Sequence, residues 1–214
     1  MDQEKTTVAN QQNDIHIWET FLQGSETSFK ELHCKYYNDL YTYALKITGD
    51  KYIAKNAIQE LFIYLWKNKA NLSKAQNIRF YLLFSLRRHV IRLLKKEQKH
   101  IDLSIKSIKN EEEAFPLTFS PEDILVKKET ELINQKWVVE ALNKLPPRQK
   151  EIIYLRYFMD MSIDEIAQML SVNYQSLLNV HCRAIKNLRK LILNQKTLEK
   201  FLFFLLLTGV PFLF

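Results

Sequence analysis

Residues 163–180 read I-D-E-I-A-Q-M-L-S-V-N-Y-Q-S-L-L-N-V, and their spacing decides the fold. Two helices that cross closely through a short turn need a small residue on the first, and Ala167 supplies it. Ile166, Leu170, Val172, Leu177 and Val180 fall at the offsets that fill the wedge between such helices. The turn is Ser171-Val172-Asn173, with Asn173 placed to cap the second helix through its side-chain oxygen. Ser171 stands where glycine is common. The pattern predicts a helix-turn-helix whose second helix lies in a DNA major groove. That helix would present Asn173, Tyr174, Gln175, Ser176, Leu178 and Asn179 to base edges. Arg183, Lys186, Arg189 and Lys190 follow as phosphate contacts, which set register and affinity without reading sequence. The plainer reading is a helical hairpin with a solvated basic face.

Outward from this motif the chain reads as helix almost throughout. Ser120-Pro121-Glu122-Asp123 has the marks of a helix start: a capping serine, a proline at the first helical position and acids at the positive helix end. This helix is predicted to run to about Lys144 and to stop at Pro146-Pro147. Helices over 147–158, 162–170 and 174–194 complete a unit spanning 120–196. Residues 100–119 lose periodicity, and the acidic run Glu111–Glu113 with Pro116 predicts a flexible linker. Ahead of it, residues 14–99 form a second helical unit. A short helix over 14–23 carries Ile15, Trp18, Phe21 and Leu22; Gly24 ends it and Ser25 caps the next. The second helix has Phe29, Leu32, Tyr36, Leu40, Tyr43, Ala44 and Ile47 at steps of three and four, and Gly49 stops it. Asp50 caps a third, with Ala54, Ala57, Ile58, Leu61, Phe62, Leu65 and Trp66. After a polar loop over 68–77, a fourth helix runs from Ile78 to Lys99. Leu83, Leu86, Val90 and Leu94 make its apolar side, and Arg88, Arg92, Lys95 and Lys99 a basic stripe on another side. The fold class expected is all-α: two small helical domains on a tether.

Composition sets the outer limits. The 214 residues are 47% hydrophobic and 26% charged, enough to bury real cores. Only Gly24, Gly49 and Gly209 are glycines, which argues against phosphate-cradling loops. The net charge of +7 and pI near 9.2 favour a polyanionic partner. Cys34 and Cys182 form no C-x-x-C pair and read as reduced thiols. The N-terminus has no apolar run for export, so a cytoplasmic location is expected. His16, His33, His89, His100 and His181 show no metal-ligand spacing, and no catalytic triad or paired-carboxylate arrangement can be assembled. No metal, no cofactor and no enzymatic activity are expected.

Residues 141–191, with L-P-P-R-Q at 145–149, E-I-A at 165–167 and R-A-I-K-N-L-R at 183–189, closely resemble region 4 of the sigma-70 superfamily. Residues 29–98 resemble region 2, with A-K-N-A-I-Q-E-L-F-I-Y-L-W at 54–66 matching its polymerase-binding helix. The order and spacing of the two blocks are similar to the extracytoplasmic-function (ECF) group, which keeps only these regions and a linker. The resemblance implies an alternative sigma factor that binds core RNA polymerase and promoter DNA and is held in check by an anti-sigma factor. Region 2 would open the promoter's −10 element and region 4 would read the −35 element. By position, Asn56, Gln59, Glu60, Phe62 and Trp66 would bind the polymerase clamp. Asn71 and Asn77 lie in the loop that would receive an unstacked −10 base, and Arg88, His89, Arg92, Lys95 and Lys96 would hold the opened strand. The −35 set would be Asn173, Tyr174, Gln175, Ser176, Asn179, Arg183 and Lys186. Phe80, Tyr81 and Phe84 could stack on bases, although core packing is the simpler role for each. The family usually has acids at Lys55 and Asn56, asparagine at His89 and often basic residues at Leu178 and Val180. These departures imply an altered clamp contact, an altered −10 preference and a weaker −35 grip.

Residues 197–214 form a tail, and 201–214 (F-L-F-F-L-L-L-T-G-V-P-F-L-F) are nearly all apolar. The stretch is shorter than the roughly 20 residues that span a bilayer, and Gly209 and Pro211 would interrupt a helix. Packing on one of the units, contact with a membrane or membrane-bound partner, and an adventitious extension stay open as readings. Two other functions compete with the sigma factor. A stand-alone helix-turn-helix regulator would explain residues 141–191 but not the leading unit. A helical protein that only sequesters a partner would fit the departures at Lys55, Asn56 and His89.

Overall fold

The computed structural model describes residues 2–100, 115, 117–120, 123 and 132–193, with side chains for 12–94, 115, 117–120, 123 and 137–192. Among these every regular element is helical. The chain divides into two compact units, Met1–Glu111 and Glu112–Phe214.

The first unit holds α1 (Asp2–Leu22), α2 (Glu26–Thr48), α3 (Lys51–Asn68), a 3-10 turn over Lys69–Asn71, and α4 (Ile78–His100). The expected punctuation is present atom by atom. Gly24 takes a φ of 99°, and the Ser25 side chain accepts from the Ser28 amide at the head of α2. Gly49, at φ 68°, closes α2 with its N–H on the Leu45 carbonyl, and Asp50 Oδ1 accepts from the Tyr52 and Ile53 amides of α3. α1 is longer than the expected 14–23. Its apolar stripe ends near Asp14, but nothing between Asp2 and Asn13 breaks a helix. The core joins all four helices: Trp18, Phe21, Leu40, Tyr43, Leu61 and Leu86 are at most 1% exposed. Trp18 Nε1 donates to the Ser73 carbonyl at 3.2 Å, which ties the α3–α4 connection to α1. Arg87 is also inside, with Nη1 donating to the Tyr43 hydroxyl.

The second unit holds α5 (Leu132–Asn143), α6 (Pro147–Ile153), a π turn over Tyr154–Phe158, α7 (Ile163–Met169) and α8 (Tyr174–Leu193). The helix expected over 147–158 changes pitch after Ile153, and the Met159 amide then closes on the Tyr154 carbonyl. Of the helix expected from Ser120, Ser120 and Asp123 show the start, with the Ser120 N–H and hydroxyl both on Asp123 Oδ2. Residues 121–122 and 124–131 lie outside the described residues. So do most of the expected linker and the whole apolar tail, 201–214.

Part of the stretch expected as a linker is buried. Phe115, Leu117 and Phe119 are at most 2% exposed. Phe119 lies against Phe158 and Tyr154, with ring centroids 5.1 and 6.1 Å away, and its backbone exchanges two hydrogen bonds with the Asn143 side chain. An extended chain buries alternate residues, so the 115–119 stretch contributes to a core that its lack of helical period concealed. Among the described residues, no helix is long and apolar enough to cross a membrane, and no cluster of three or more potential ligands for a metal forms.

Candidate nucleic-acid interface

The helix-turn-helix is fixed at both ends by its own side chains. At the head of α7, the Glu165 amide donates to Ser162 Oγ and the Ser162 amide to Glu165 Oε2, a reciprocal capping box. The turn passes through Ser171 at φ 52°, a left-handed conformation costly for any residue with a Cβ. Asn173 Oδ1 then accepts from the Ser176 amide at 2.7 Å and starts α8. Ile166, Leu170 and Leu177 are at most 1% exposed and fill the wedge; Val172 and Val180 are half-buried at its rim. Arg148 of α6 braces the assembly from behind. Its Nη1 meets the fully buried Glu151 at 3.2 Å, and its Nη2 donates to the Leu170 carbonyl at the end of α7.

On α8, Leu177, Ala184, Leu188 and Ile192 face inward. At 100° per residue the opposite ridge is Gln175, Asn179 and Lys186, flanked by Cys182, Arg183 and Lys190. All six are exposed. Tyr174 is 48% exposed, and Asn173 and Ser176 are open at the helix start. Arg183 Nε donates to the Asn179 carbonyl one turn back. Leu178 is half-buried beside the ridge, as is Arg189 further along. His181 points the other way, within 3.2 Å of the Tyr157 hydroxyl; burial, then the Arg156 charge, holds its pKa below the ordinary value.

The first unit presents a different surface. Asn77 caps α4, with Oδ1 accepting from the Phe80 amide at 3.0 Å, while Asn71 is exposed in the 3-10 turn. Arg88 and Arg92 are exposed, and the Arg88 guanidinium lies 5.6 Å from the Phe84 ring. His89 is turned inward, 8% exposed, beside the Tyr64 ring. Arg92 Nη2 meets its Nδ1 at 2.7 Å. A guanidinium only donates, so Nδ1 carries the lone pair and the proton sits on Nε2. Burial, then the Arg92 charge, lowers the His89 pKa to about 4. A neutral, enclosed ring is poorly placed to hold a phosphate, so of the α4 residues expected to hold an opened strand, Arg88 and Arg92 are the exposed ones with described side chains. The side chains of Lys95 and Lys96 lie outside the described set. Phe80 and Phe84 pair half-buried on α4, while Tyr81 stacks edgewise on Trp18 at 5.1 Å.

Between α2 and α3 lies a groove of about 730 Å³, walled by Phe29, His33, Tyr37, Phe62 and Trp66 with Lys55 and Lys67 also lining it. Phe62, 5% exposed, forms its floor against the His33 ring, and the Lys69 ammonium sits 4.2 Å from the Trp66 ring. Gln59 is exposed on the wall; Asn56 and Glu60 are half-buried on α3 outside it. The groove escaped the sequence reading because its two walls are about thirty residues apart. The capping box did not have to: S-x-x-E at 162–165 is a visible signature.

Comparison with known proteins agrees with this geometry. Residues 32–100 match the family "Sigma-70 region 2" and residues 135–191 match "Sigma-70, region 4". The chain belongs to the sigma-70 family, with the two-region make-up of its extracytoplasmic-function group. It is 24% identical over 125 residues to a probable RNA polymerase sigma factor of Haemophilus influenzae, covering 54% of this chain and 64% of that one. It is 21% identical over 179 residues to the ECF RNA polymerase sigma factor BldN of Streptomyces coelicolor, covering 83% of this chain and 65% of that one. The chain thus spans just under two thirds of the length of these two relatives. In fold it is similar to the sigma factor RpoE of Bartonella quintana, solved with the anti-sigma factor NepR. The TM-score is 0.52 at 17% identity, over 76% of this chain and 95% of that one.

Proposed function

We propose that this chain is an alternative sigma factor that binds core RNA polymerase and directs it to a set of promoters. The observation that carries the reading is the succession of a region 2 and a region 4 unit, the second with an exposed amide-and-cation ridge along α8. Region 4 would lay α8 in the major groove of a −35 element. Gln175, Asn179, Tyr174 and Ser176 would meet base edges there, and Arg183 and Lys186 the phosphates. Asn173 would act chiefly by holding the helix start.

Region 2 would capture a strand that opens transiently. Flipping a base costs on the order of a few kcal/mol. A surface that binds only the open state shifts that equilibrium without other energy input. Arg88 and Arg92, with Lys95 and Lys96, would supply the cationic track, and Asn71 the edge of the base pocket. The α3 face with Gln59, Asn56 and Glu60, beside the groove floored by Phe62 and edged by Trp66, would dock polymerase. An anti-sigma factor as a further partner is supported by the NepR-bound relative.

The deciding experiment mixes the pure full-length chain with sigma-free core polymerase on a library of bacterial promoters. Specific initiation from a subset is expected. DNA binding without core polymerase and no initiation would instead favour the stand-alone regulator. Neither binding nor initiation would favour the sequestering protein.

A further inference from the structure

We propose that the base-reading part of α8 selects A·T pairs and has given up guanine. The inference rests on the DNA-binding reading above and names the base class that the same surface takes.

The first nine residues of α8, Tyr174–Cys182, read Y-Q-S-L-L-N-V-H-C and contain no arginine or lysine. Guanine offers two acceptors in the major groove, O6 and N7, and a side chain must bring two donors to read them both. Adenine offers an acceptor at N7 and a donor at N6, the mirror of a carboxamide's amine and carbonyl. Gln175 and Asn179 are the two groups on the outermost line of the helix here, both exposed and four residues apart. Four residues advance about 6 Å along a helix. That is close to two base-pair steps of about 3.4 Å. Set over guanine, either amide would leave its carbonyl facing another acceptor, an unpaired and desolvated group.

The neighbouring side chains favour the same pairs. Tyr174 and Leu178 flank the amide line with apolar surface, and the one apolar feature on the floor of the major groove is the thymine methyl. Ser176 can bond any base and does not discriminate. Asn173 is committed to the helix cap through Oδ1. The first cation, Arg183, stands eight residues after Gln175, about 12 Å along the axis. Its Nε is already bonded to the Asn179 carbonyl, which holds it toward the helix flank where phosphates run.

The test uses the full-length chain with sigma-free core polymerase on promoters whose −35 segment is randomised, with sequencing of the transcribed templates. Wild type should enrich A·T at two or more positions of that segment, with guanine disfavoured at least about tenfold at each. Gln175→Ala and Asn179→Ala should each flatten a different position, and Gln175→Arg should turn its position toward guanine. Both sites are exposed, so circular dichroism should show an unchanged fold for all three variants. Specific transcription that favours guanine opposite these residues would overturn the proposal and leave the sigma factor reading intact. So would a base profile unmoved by either alanine. Absence of any promoter-specific transcription would overturn both together.

Discussion

His89 and Arg92 share a hydrogen bond that ties the ring's protonation to folding. The folded chain keeps this imidazole neutral with a pKa of about 4, against an ordinary 6.5. As pH falls through 6.5 the unfolded chain takes up a proton that the folded chain refuses. The stabilisation is therefore complete above 6.5 and drains away toward 4. Between pH 7 and pH 5 the difference is about 2 kcal/mol. Urea unfolding of His89→Asn at those two pH values should show a pH penalty smaller by that amount than wild type. An equal penalty in both proteins would show that the ring is not shielded. His89 also shows where reading from sequence stops. By position, Arg88 and His89 belong to one expected strand-holding set. In the fold Arg88 points out, while Arg87 and His89 point in to partners on α2 and α4 that only the packing supplies.

Ser162, Ser171 and Asn173 punctuate the α7–α8 motif, and each predicts a measurable change. Ser162→Ala and Asn173→Ala remove cap acceptors and should each lower stability by about 1 kcal/mol in chemical denaturation. Ser171→Gly should raise it by roughly 0.5–1 kcal/mol, because relief of the left-handed backbone outweighs the freedom glycine gains when unfolded. Loss of stability in the glycine variant would mean that the Ser171 side chain contributes more than its backbone costs. Helices and caps of this kind were legible beforehand, since Gly24, Gly49, Ser25, Asp50 and Asn173 act within four residues of themselves. The α2–α3 groove, the bracing of Leu170 by Arg148 and the burial of Phe119 on Tyr154 were not. Each joins residues more than twenty positions apart, and no local period records such a meeting. The exposed polar ridge of α8 was legible for the opposite reason: one helix carries all of it.

The two units should fail separately. Replacing Arg88, Arg92 and Lys95 together by Ala should abolish strand opening, read by permanganate reactivity of exposed thymines. Thermal melts should confirm the fold, because Arg92 also supports His89. Duplex binding through the second unit should survive. Normal opening by this variant would remove α4 from the strand track. Conversely, Lys186→Ala should weaken holoenzyme binding to all promoters alike and reduce the slope of log affinity against log salt by about 0.9. A change confined to some sequences would make Lys186 a base reader instead. The burial of Phe115, Leu117 and Phe119 bears on how the units cooperate. With Phe115 held in the fold, the covalent path from His100 is fifteen peptide steps, which can span no more than about 50 Å. On the proposed sigma factor reading, spacer length between the two promoter elements would therefore have a ceiling written into the covalent chain. Each residue excised between His100 and Phe115 should then lower that ceiling by about one base pair.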